Sequence, residues 1–169
     1  MIFLSKETTE STVLKLVKLI YLAERSSIEK RDLPIFGGSY FSMKDGPVLS
    51  EAYSLMDGEG LEKDQQFWDQ IISERHGRGN TLKVKEVRVP NALSRAEIRI
   101  IEEVQEQHAN RTAWEIRNWC HENIPEYEEV TSGRRPIWIN SIALKVGADT
   151  ERICEELNAA TFFRNVFAS

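Results

Sequence analysis

Residues Thr12 to Arg25 read T-V-L-K-L-V-K-L-I-Y-L-A-E-R. Val13, Leu16, Val17, Ile20 and Ala23 recur at the i, i+3, i+4, i+7 spacing of one helical face. Leu14, Tyr21 and Leu22 widen that face, and Leu19 falls near its back. Lys15, Lys18 and Arg25 are left as a narrow stripe expected to face water. A helix this apolar must be wrapped by other elements, so it is expected to be the hub of the core.

At 169 residues the chain is long enough to bury a core without disulfides or metals. Residues 1–169 are expected to form one domain, with a core over about 12–160 and a tail at 161–169 that docks or serves as an interface. Hydrophobic residues at 41% and charged residues at 29% are ordinary for a globular protein and argue against disorder. No apolar run approaches the roughly 20 residues of a membrane-spanning helix. The start, M-I-F-L-S-K-E-T-T-E, has no basic region ahead of an apolar run, so a cytoplasmic location is expected. A net charge of -5 argues against broad phosphate binding. Cys120 and Cys154 form no C-x-x-C and are expected to be reduced.

Ser11 or Thr9 is placed to cap the first helix, which should fade at Ser26-Ser27 before Leu33-Pro34. Two turn signals, Gly37-Gly38 and Asp45-Gly46, bracket an extended segment from Ser39 to Lys44. Pro47 suits the first turn of a second helix, with Val48, Ala52, Leu55 and Met56 inward and Asp57-Gly58 closing it. A third helix is predicted from Glu62 to Arg75, with Phe67, Ile71 and Ile72 apolar and Trp68 beside them. Thr81 to Val89 alternates like a strand, changes phase at Lys85-Glu86, and is expected to pair with Ser39–Lys44. Ser94…Glu97 and Thr112…Glu115 are capping boxes that open two successive helices. Glu126 to Arg135 reads as a polar loop, Pro136 to Ile139 as a return to the core. Asp149 should cap a last helix carrying Ile153, Leu157 and Ala160. The fold class is therefore mainly α (α+β): a compact helical domain around a buried first helix, with a small two- or three-stranded β element.

Few residues point to chemistry. His76, His108 and His121 have no metal-ligand spacing, so neither a metal nor a cofactor is expected, and the chain is not read as an enzyme. Cys120 and His121 are neighbours whose side chains diverge by about 100° on a helix. Glu102-Glu103 and Glu128-Glu129 read as solvated faces. Gly37-Gly38 lacks the frame of a phosphate loop and reads as a turn. Gly46-Pro47 aims a helix N-terminus, with packing on the first helix as its expected use. Arg134, Arg135 and Trp138 are the one place where basic and aromatic residues interleave, a weak nucleic-acid signal. Phe162, Phe163 and Phe167 make the tail unusually apolar for a terminus.

The order of these features resembles the Panacea domain, the SocA-like antitoxin and phage-associated family. That family's K-L-x-Y-x-A helix corresponds to Lys18, Leu19, Tyr21 and Ala23. Its P-I pair corresponds to Pro34 and Ile35, its G-P-V to Gly46, Pro47 and Val48, and its helix tyrosine to Tyr53. L-S-x-x-E at Leu93 to Glu97 is similar to the entry of its long helix. A-W-E-I…C-H-E-N-I-P at Ala113 to Pro125 is similar to its closing helix, with His121 and Pro125 in place. Gly38 and Tyr127 depart from the pattern, standing where an acidic residue and a tryptophan are common. The resemblance implies an antitoxin that neutralises a toxin encoded nearby by direct binding, through occlusion or delivery to a protease. Phe162, Phe163, Phe167, Arg134, Arg135 and Trp138 are the partner-binding candidates. A phage- or plasmid-encoded adaptor or inhibitor of a host protein is the alternative, and a nucleic-acid-binding regulator a lesser one.

Overall fold

The structure is a computed structural model that describes residues 10–72, 81–85 and 92–167, and the side chains of 11–72, 81–85 and 92–159. Its centre is α1, Val13–Arg31. Twelve of its 19 residues are buried, which confirms the helix as the hub. The cap is Thr12, whose Oγ1 accepts from the Lys15 amide at 3.3 Å, not Ser11 or Thr9. The helix also runs past Ser26-Ser27. Ser27 and Ile28 are buried, so packing overrides the weak helix propensity of serine. It ends where Asp32 turns left-handed, at φ 57°, and its amide donates to Ile28 O.

Among the described residues, two small antiparallel sheets flank this helix. In one, β1 (Glu10–Thr12) pairs with β4 (Thr81–Lys83). In the other, β2 (Tyr40–Met43) lies between β3 (Gly46–Leu49) and β5 (Arg134–Ile137). Tyr40 stands opposite Leu49 on one side and Ile137 on the other. Two expectations are corrected. Thr81–Lys83 pairs with the segment entering α1 and not with β2, because β5 takes the free side of β2. Pro47 lies in β3 and not in a helix; an edge strand tolerates its missing N–H. The phase change at Lys85-Glu86 extends outside the described residues.

The other helices are α2 (Ser50–Asp57), α3 (Glu62–Ile71), α4 (Arg95–Gln107), α5 (Ala113–Asn123), α6 (Ile139–Val146) and α7 (Thr150–Phe167). Both capping boxes form, Ser94 with Glu97 and Thr112 with Glu115. Helices α4 and α5 both pack on α1, as does α6, a helix the sequence reading did not anticipate. Helix α3 is shorter than expected: Ile71 and Ile72 are buried, but Phe67 stands 52% exposed. Asp149 caps α7 through its Oδ1, which accepts from the Glu151 and Arg152 amides. The architecture is mainly helical with a small β element, as the sequence implies. The docking expected of Phe162, Phe163 and Phe167 concerns side chains outside those described.

Candidate functional site

Lys18 was expected to be wet and is instead 1% exposed. It sits where the β2–β3 turn is laid against α1, and its Nζ donates to the Pro47 carbonyl at 2.9 Å. Glycine makes this approach possible. Gly46 has φ +97°, and a Cβ there would stand 3.2 Å from Lys18 Nζ and 3.4 Å from His121 Cδ2. Burial pulls the Lys18 pKa down to about 8; Cys120 and Asp45 oppose the shift, and Arg117 adds to it. The amine is thus still mostly an ammonium at neutral pH.

Helix α5 brings His121 and Arg117 to this point. His121 packs its ring on Tyr127, 4.5 Å between centroids, and the Tyr127 hydroxyl donates to Met43 O at 3.2 Å. Burial, then the charges of Arg117 and Lys18, lower the His121 pKa against the opposing charges of Glu129 and Asp45. His121 Nε2 is buried with no hydrogen-bond partner among the described residues. Arg117 Nε is also buried without a hydrogen bond, although it lies 3.6 Å from Asp45 Oδ1 as an ion pair. Beside this cluster opens a cleft of about 600 Å³, walled by α1, the β2–β3 turn, Tyr53 of α2, the start of α5 and the 131–133 loop. Trp114, on its α5 side, is 63% exposed.

A second polar centre lies further along α1. Tyr21 donates to Glu126 Oε1 at 3.0 Å, and Arg25 Nε donates to the same oxygen at 2.9 Å. Burial, then the Glu126 charge, pushes the Tyr21 hydroxyl's pKa well up. Glu24 is 0% exposed; its carboxylate accepts from the Phe36 amide at 2.5 Å and the Tyr40 hydroxyl at 2.9 Å. Burial raises the Glu24 pKa to about 7 against these hydrogen bonds. This centre pins the loop after α1, the central strand β2 and the loop after α5 to one helix.

Of the motif positions, Lys18, Gly46, Pro47 and His121 meet around one point, and Val48 and Tyr53 line the same cleft. Tyr21 belongs to the second centre, reached through Glu126, the residue after the exposed Pro125. Leu19 is core, and Pro34 packs beside Gly37 in the loop after α1. Arg134, Arg135 and Trp138 stand apart, in β5 and just beyond it, across the sheet from β3. Arg134 lies over the Phe41 ring at 4.5 Å, Arg135 pairs with Glu128, and Trp138 is 72% exposed. His108 is buried against Trp119, and His76 lies outside the described residues. The sequence reading missed Glu24 and Glu126. One signal was available: Lys18, Tyr21 and Arg25 share a face at i, i+3, i+7, on a helix too apolar to leave them all wet.

The fold is that of a small, mainly helical protein whose buried polar groups hold loops and strands against one central helix. A family model described as antitoxin SocA-like, Panacea domain, matches residues 16–125. That is more than half of the chain, and the chain belongs to this family. No curated protein and no solved structure matches it.

Proposed function

We propose that this protein is an antitoxin that neutralises a toxin encoded nearby through direct protein–protein contact in the cytoplasm. The observation that carries the reading is the family match over residues 16–125, which includes α1, the β2–β3 hairpin and α5. Neutralisation proceeds by occlusion of the toxin or by its delivery to a protease, and the protein performs no bond chemistry of its own. Trp138, Arg134 and Arg135, with the tail phenylalanines Phe162, Phe163 and Phe167, are proposed contact residues. A large exposed indole beside guanidinium groups has the composition of an interface hot spot. The whole chain, 1–169, is proposed to act as a single domain.

The test is co-expression with the adjacent gene, followed by co-purification. Growth arrest by the neighbour alone, relieved by this protein in a stable complex with it, is the expected result. A harmless neighbour that does not co-purify overturns the reading.

A further inference from the structure

An ammonium carries three N–H donors. Lys18 directs one to the Pro47 carbonyl, and among the described residues no carboxylate lies within ion-pair distance of it. Beside it, His121 Nε2 is buried without a hydrogen-bond partner among the described residues. Buried polar groups are ordinarily satisfied, so an ammonium with N–H donors to spare at the edge of a cleft marks a place for an acceptor that the described residues do not supply. The acidic neighbour, Asp45, is engaged by Arg117 at 3.6 Å. Lys18 lines the cleft, Lys44 adds a second positive charge there, and Val17, Met43 and Trp114 supply apolar walls. Gly46, at φ +97° and without a Cβ, lets the turn at the cleft's edge close directly on the Lys18 ammonium.

We infer that this cleft is an anchor site for an acidic side chain, Asp or Glu, carried on an apolar segment of a partner protein. The carboxylate meets the Lys18 ammonium, while flanking apolar side chains cover Trp114 and the wall beneath it. The inference deepens the antitoxin reading, because it rests on the partner being a protein. A carboxylate is favoured over a neutral amide because only the anion matches a buried cation that has no carboxylate partner among the described residues.

The probe is the peptide Ac-Leu-Ala-Glu-Phe-Leu-NH2, titrated into the full chain and followed by amide NMR, beside the same peptide with Gln for Glu. The Glu peptide is expected to bind about tenfold more tightly, the worth of one charge-assisted hydrogen bond, and to shift the Gly46 and Ala113 amides. Lys18→Met is expected to erase the preference. Trp114→Ala, at an exposed position, is expected to keep the melting temperature and weaken both peptides alike, by about tenfold. Equal affinity for the two peptides, or shifts confined to other surfaces, overturns the anchor and leaves growth rescue untouched. Failed rescue alongside Glu-selective binding removes the toxin as partner and upholds the anchor.

Discussion

Glu24 and Lys18 are opposite charges buried less than two turns apart on one helix, at 0% and 1% exposure. Their surroundings differ. Both Glu24 oxygens are engaged, by a backbone amide and a tyrosine hydroxyl from two separate segments. Lys18 has one carbonyl and a cleft, and beside it the His121 Nε2 is buried with no hydrogen-bond partner among the described residues. A buried charge whose hydrogen bonds are complete organises the fold. One whose hydrogen bonds are incomplete at the edge of a cleft marks where the fold awaits something else.

The largest effect should come from removing Glu24, whose two oxygens are both hydrogen-bonded. Glu24→Ala strands the Phe36 amide and the Tyr40 hydroxyl, at about 1–3 kcal/mol for each unsatisfied group. Urea unfolding should therefore show a loss on the order of 2–6 kcal/mol. The same carboxylate predicts a pH dependence. Its folded pKa is raised from 4.5 to about 7, so the native state holds the proton more tightly than the unfolded chain. That contribution is fully present below pH 4.5 and is lost as pH rises through about 7. Its size is roughly 3 kcal/mol, from about 1.4 kcal/mol for each pKa unit. Denaturation at pH 5 and pH 8 should show the decline, and Glu24→Gln should flatten it.

This contrast explains how much was legible in the sequence. The α1 hub, the β2 segment and both capping boxes follow from local rules, periodicity and side-chain-to-amide spacing, and they stand. The β1–β4 pairing and the role of β5 depend on which strand reaches which edge first, a long-range outcome that alternation does not encode. Pro47 read as a helix start because Gly-Pro suits one, yet the turn it follows is drawn onto Lys18. The candidate site was legible in part. Lys18, Tyr21, Gly46 and His121 were singled out as motif positions, but Lys18 was expected to be wet. Solvation of a lysine is a prior that only tertiary packing reverses. Glu24 and Glu126 carried no signal at their own positions, only the indirect one of the polar face on α1, since their partners lie 12–16 and 101–105 residues away in sequence.

A smaller effect is expected at the turn that joins the two behaviours. Gly46→Ala places a methyl 3.2 Å from Lys18 Nζ and 3.3 Å from Cε, at a φ of +97° that L-residues rarely adopt. The backbone strain costs about 1–3 kcal/mol. The lysine tip can yield, so the loss should sit near the lower end. Thermal melting measures it, and an unchanged melting temperature would mean the turn relaxes away from α1.

The smallest change in stability separates the two charges most sharply. Lys18→Met keeps the alkyl stem in the core and removes a cation that burial already disfavours, as its pKa of about 8 records. A folded pKa below the unfolded 10.5 means the charged form is a burden at neutral pH, with stability recovered as pH rises from about 8 toward 10.5. Replacing such an ion with an apolar isostere is often neutral or stabilising. The one loss, the Pro47 carbonyl's partner, offsets that gain by about 1 kcal/mol. The net change should therefore lie within about 1 kcal/mol of zero, against several for Glu24→Ala. If Lys18→Met instead unfolds the chain as severely as Glu24→Ala, the lysine is as much a structural clamp as the glutamate, and the distinction between the two ends of α1 fails. If stability holds while partner binding falls, the retained ammonium serves what enters the cleft.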